Sequence, residues 1–171
     1  MKTNFFFTAL VFATFTGAVG AADYKSQKAS PMKIPSVEQS PPCTLSLQEI
    51  KKIDNKWKIL VKLSLNNKSD KVFLLDAMSF GLSHGLSNDL FIIKSGSNRI
   101  QYTGEMVKRA APKNLIIIQP GSEQVAIIDL GQDYKFPLTG GKFTVQYKFH
   151  NHFSPNDVDL ESNPITITLK K

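Results

Sequence analysis

Lys56-Trp57-Lys58-Ile59-Leu60-Val61-Lys62-Leu63-Ser64-Leu65 decides the fold class of this 171-residue chain. Trp57, Ile59, Val61, Leu63 and Leu65 alternate with Lys56, Lys58, Leu60, Lys62 and Ser64. A strand sends successive side chains to opposite faces, so this run has one apolar face and one mostly polar face. Asp54-Asn55, immediately upstream, is a turn-forming pair. Before it, Leu45, Leu47, Glu49 and Lys51 alternate less cleanly with Thr44, Ser46, Gln48 and Ile50. The two runs predict a hairpin that starts at Cys43.

Further short strands are expected at 71–75, 89–94, 99–102, 115–119, 124–130, 142–150 and 165–169. Among them, Phe143, Val145, Tyr147 and Phe149 share one face, and Ile165, Ile167 and Leu169 share another. Turn signals separate the runs at Asn66-Asn67, Ser95-Gly96-Ser97-Asn98, Pro120-Gly121, Gly140-Gly141 and Ser154-Pro155-Asn156. Frequent turns without a helical period predict an all-β chain. The expected form is an antiparallel immunoglobulin-like β-sandwich of about seven or eight strands, with Greek-key connections as the default for such a sandwich.

The opening residues address the compartment. Lys2 precedes the apolar run 5–15, and small residues follow at Gly17, Ala18, Gly20, Ala21 and Ala22. This is the pattern of a cleaved signal peptide over 1–21, and the apolar run is short for a bilayer-spanning helix. A secreted or periplasmic protein without stable membrane insertion is expected. Residues 22–42 carry Pro31, Pro35, Pro41 and Pro42 among polar residues and are expected to form a flexible linker, leaving 43–171 as the domain. The formal charge is +7, with the lysines scattered rather than run together. That distribution suits a solvated surface and gives no nucleic-acid-binding stripe. Cys43 is the chain's single cysteine, so an internal disulfide is excluded. It is expected to be a half-buried structural thiol.

A longer pattern lies in the second half. Tyr102-Thr103-Gly104-Glu105-Met106-Val107-Lys108-Arg109 leads to Pro112, then to Leu115-Ile116-Ile117-Ile118 and Pro120-Gly121-Ser122. Asp129-Leu130, Tyr134 and Gly141-Lys142-Phe143-Thr144-Val145-Gln146-Tyr147 complete it. This resembles the non-catalytic β-domain that precedes the protease domain in the deuterolysin and peptidyl-Lys metallopeptidase family, mainly over residues 99–149. Phe143 stands where a Tyr is usual in that family's strand. Those enzymes hold zinc with His-Glu-x-x-His on a helix. Here His84, His150 and His152 are the only histidines, none is followed by Glu, and no two are four apart. The resemblance therefore implies the accessory module without the enzyme, and the chain ends at Lys171, about where the catalytic domain would be expected to begin. A non-enzyme with no cofactor is expected.

By that analogy the partner would be a protein, specifically an exported metalloprotease that the domain inhibits or helps to fold. The alternative is an adhesive or envelope-associated interaction domain with no protease partner. Loops on a rigid sandwich are the expected contact surface, at 79–88, 105–114 and 150–163. Phe80, His84, Leu86, Met106, Lys108 and Arg109 are the candidate partner-binding residues. The apolar ones either fill a partner's pockets or close the ends of the core. Lys108-Arg109 is either a basic anchor for carboxylates, a processing site, or a pair of surface charges on a crossover. His150 and His152 would face one side of a continuing strand and could hold a metal with Asp157 or Asp159. The alternative is a polar strand end, and no metal site is expected.

Overall fold

A computed structural model describes residues 42–82, 85–108, 114–151 and 158–171. The expected signal peptide, most of the expected linker, and His84, Arg109 and His152 lie outside the described residues.

The predicted hairpin is β1 (Cys43–Ile53) and β2 (Lys56–Asn66), paired antiparallel. Asp54 and Asn55 both have positive φ, at 48° and 60°. A two-residue turn of that hand matches the twist of the strands it joins, and Asp and Asn tolerate it best after Gly. Trp57, Ile59, Val61, Leu63 and Leu65 are all buried, as their alternation predicts. The untidy pattern of β1 has a physical cause: the register shifts between Leu47 and Glu49, a bulge. Before it the odd positions Cys43 and Leu45 point inward. After it Ile50 lies opposite the buried Ile59 and packs on the core, while Leu47 is left exposed. One extra residue flips every later side chain to the other face.

The other elements are β3 (Phe73–Asp76), a 3-10 turn (Ala77–Phe80), β4 (Phe91–Ser95), β5 (Asn98–Arg99) and β6 (Leu115–Ile118). Then follow β7 (Glu123–Asp129), α1 (Leu130–Asp133), β8 (Gly141–Asn151), β9 (Val158–Glu161) and β10 (Ile165–Leu169). One sheet runs β1-β2-β7, another β10-β8-β4-β5 with β9 also on β8, and β3 pairs with β6. Every pair of strands is antiparallel. The chain is all-β, as expected. The described residues hold ten strands: β9 falls in what the sequence reads as a loop, and β5, where a strand is expected at 99–102, is only the two residues Asn98–Arg99.

The ribbon β2/β7 continues past a corner as the ribbon β3/β6, and buried Asn67 ties the corner together. Its backbone N–H donates to Ser122 O (3.0 Å) and its carbonyl accepts from Gly121 N (2.7 Å). Its side-chain amide donates to Lys71 O (2.8 Å) and Ile118 O (2.9 Å), while Oδ1 accepts from Ser69. Buried polar groups need such partners, and here the side chain substitutes for the ladder that the corner interrupts.

A second side-chain bridge joins the sheets. The amide of Asn163 accepts from Leu45 N (2.8 Å) and donates to Leu45 O (3.0 Å), as a strand's peptide group would. Asn163 sits between β9 and β10, where Ser162 keeps contact with β8 through Tyr147. Inward side chains of every strand except the two-residue β5 merge in one hydrophobic core, including Phe91, Ile93, Phe143, Val145, Tyr147, Ile167 and Leu169.

Gly131 in α1 presses against β2. A Cβ there would lie 1.7 Å from the Trp57 carbonyl oxygen, a backbone atom that cannot swing away. Gly131→Ala, which would favour an isolated helix, should therefore destabilise the protein by about 3 kcal/mol through overpacking. Urea unfolding followed by tryptophan fluorescence measures this.

Candidate functional site

The site begins where β7 ends. Asp129 caps α1: its Oδ1 accepts from Gly131 N (3.0 Å) and also from Ile59 N on β2 (2.9 Å), and Oδ2 accepts from Gln132 (3.4 Å). A carboxylate at a helix start satisfies amides that have no partner within the helix. The same group thus fixes α1 to β2.

From α1, two residues reach outward to hold two separate loops. The Asp133 carboxylate accepts from Leu86 N (3.0 Å), and its backbone carbonyl accepts from Thr103 N (2.7 Å) and Gly104 N (3.3 Å). The Tyr134 hydroxyl accepts from Phe91 N (2.9 Å) and donates to Asp89 Oδ1 (2.8 Å), whose other oxygen pairs with Arg99 (2.8 Å). Burial, with the Asp89 carboxylate adding to it, pushes the Tyr134 phenol well above the usual range. Tyr102 packs edge-on against Tyr134, with ring centroids 5.3 Å apart. The aromatic contacts continue from Tyr134 through Phe91 and Tyr147 to Phe80.

Residues 102–108 form a ledge on this base. The Tyr102 hydroxyl lies 2.7 Å from the carbonyls of both Leu86 and Glu105, its one proton serving them in turn. Val107 N donates to Ser87 O (2.9 Å). Gly104 leaves no room for a side chain, since a Cβ would lie 2.6 Å from the Tyr102 hydroxyl and 2.7 Å from Asp133 Oδ1. The Tyr102-x-Gly104 element therefore has a packing reason. Between the anchors at Glu105 and Val107, Met106 is held outward with 69% of its surface exposed. Val107 and Lys108 beside it are also exposed.

Of the candidate residues, Met106 and Lys108 are on the surface, but Phe80 and Leu86 are not. Phe80 is fully buried against Tyr147 and Leu86 is nearly so, and both belong to the core. Their assignment to partner binding is corrected: they close the end of the core, as the competing reading had it. Leu82, from the same loop, stays partly exposed. The expected loop at 150–163 is also partly a strand. His150 lies opposite Asp159 in the β8–β9 ladder, with Nδ1 2.5 Å from the carboxylate. Among the described residues, no cluster of three or more His, Cys, Asp or Glu could hold a metal ion.

A groove of about 880 Å³ opens on another side of α1, between the hairpin tip and residues 134–138, with Trp57 at its base. No sequence signal marked it, because its lining comes from three distant segments. No helix among the described residues is long and apolar enough to cross a membrane. No protein-family model matches this chain, and no curated protein matches it.

Cys43 is buried in the core rather than half-buried, and burial pushes its thiol up to about 12. Burial followed by the carboxylate of Asp133 does the same to the Tyr102 phenol, also to about 12, and burial raises Tyr147. Groups whose pKa is raised by folding keep their full stabilisation below the unfolded pKa and lose it as pH rises toward the folded one. Stability should therefore be flat through neutral pH and fall from about pH 9 to about pH 12. A thiol reagent at about pH 8 should leave Cys43 unmodified in the native protein and label it in urea. Rapid native labelling would show that the thiol is not buried.

Proposed function

We propose that this chain is an exported, non-catalytic protein-binding domain whose contact surface is the Met106 ledge. At the finer level we interpret its fold as an immunoglobulin-like sandwich, with β1-β2-β7 and β10-β8-β4-β5 sharing one core. The observation that carries the functional proposal is the exposed Met106 side chain held between two backbone anchors, Tyr102 to Glu105 and Ser87 to Val107. A pinned segment loses little backbone entropy on docking, and the flexible methionine side chain adapts its shape to a pocket. The neighbouring Lys108 would add a contact to an acidic rim.

The sequence resemblance supports a metalloprotease as the partner, and the domain would then act by steric occlusion, with the ledge filling or covering the substrate cleft. This mechanism requires no chemistry from the domain itself.

The test is capture of partners from culture supernatant and periplasm on the exported chain, followed by protease assays on what is retained. A captured metalloprotease should lose activity in proportion to added domain. Met106→Asp, at an exposed position, should leave the unfolding midpoint unchanged and weaken the complex about thirtyfold, as loss of an interface anchor does. Capture of envelope components with no protease among them would instead favour an adhesive role.

A further inference from the structure

The groove at the hairpin tip is a second surface: it shares Thr103 and Tyr134 with the ledge and its support, but Met106 and Lys108 take no part in it. Its base is Trp57, Tyr134 and Phe136, nearly buried aromatic side chains from β2 and the segment after α1. Trp57 is the chain's single tryptophan, and its ring N–H donates to Pro137 O (3.0 Å), which fixes the base in place. At the rim stand two apolar side chains that folding leaves half exposed, Ile53 at 49% and Leu138 at 51%.

The charges around it are mainly positive. Lys56, Lys58 and Lys135 line the groove, and Lys52 lies over the Trp57 ring, 5.4 Å from its centroid. Lys58 is near Glu49, whose carboxyl is held below its usual range first by a hydrogen bond from Lys51. No carboxylate among the described residues lies within ion-pair distance of Lys56 or Lys135. Two carboxylates line the groove, Asp54 and Asp129. Both Asp129 oxygens already accept hydrogen bonds within the fold, which leaves Asp54 at the turn as the outward one.

We infer that this groove binds an extended acidic peptide segment of a partner protein, with an apolar side chain seated over Trp57 and flanking carboxylates met by Lys56 and Lys135. The concave shape and aromatic base suit a side chain better than a flat lipid surface. Half-exposed Ile53 and Leu138 supply the apolar walls, and exposed lysines give a salt-sensitive attraction. The inference does not depend on a protease being the partner of the ledge.

Trp57 makes the test direct. The full chain, purified after export, is titrated with a dye-labelled nonapeptide of alternating Glu and Leu, following tryptophan emission and dye anisotropy. The expected result is a saturable change in both signals that weakens at about 0.5 M salt. Lys56→Glu combined with Lys135→Glu should lower the affinity by about tenfold or more. Lys94→Glu with Lys142→Glu, which changes the net charge equally on exposed strand positions outside the groove, should not. Circular dichroism and thermal unfolding confirm that each double variant is folded. No saturable signal up to about 1 mM peptide would overturn the inference. So would equal weakening by both double variants, or an emission change with phosphatidylglycerol vesicles and none with peptide.

Discussion

The carboxylate of Asp129 is the constraint on which the rest of this surface depends. One oxygen takes amides from both Ile59 and Gly131, so a single side chain ends β7, starts α1 and fastens α1 to β2. Hydrogen bonds to an ionised group are each worth about 2 kcal/mol, but position matters more here than energy. α1 has only four residues, too few to be stable by itself. Yet Asp133 and Tyr134, at its end, hold the 86–91 loop and the 102–108 ledge through hydrogen bonds to Leu86, Asp89, Phe91, Thr103 and Gly104. The cap gives those loops a fixed point, and the burial of Leu130 and Tyr134 in the core reinforces it.

The parts of the fold legible in the sequence are those with a long, uninterrupted period. Trp57 to Leu65 and Phe143 to Tyr147 bury the side chains their alternation selects, because a two-residue period leaves no other face for the core. The elements that escaped are short or depend on partners far along the chain. β9 has four residues, and Leu160 is its only fully buried side chain, so it carries no period. The bulge in β1 breaks its alternation in a way that the sequence shows but does not explain. Asn66-Asn67 has the composition of a turn, yet Asn67 acts as a corner staple whose partners Lys71, Ile118, Gly121 and Ser122 are identified only by the fold.

The candidate site shows the same division. Met106 and Lys108 are exposed, as a loop position suggests, whereas Phe80 and Leu86 lie in a Gly- and Ser-rich stretch that hides their burial. Composition describes the average of a loop and not the one side chain that turns inward to cap a core. The resemblance in residues 99–149 falls largely on residues with structural work to do: Tyr102, Gly104, Asp129 and Tyr134 all belong to the network around α1. Packing accounts for these four residues without specifying what the domain binds. The groove beside Trp57 was invisible in the sequence because the hairpin tip, Thr103 and the 131–138 segment meet only after folding.

The most direct test of this account is native-state hydrogen exchange, comparing the protein with Asp129→Ala. If α1 is the anchor of the ledge, the amides of Leu86, Thr103 and Val107 are protected in the native protein. They lose protection together in the variant, while amides in the middle of β8 keep theirs. A Val107 amide that exchanges freely in the native protein, or one whose protection survives the loss of Asp129, would contradict it.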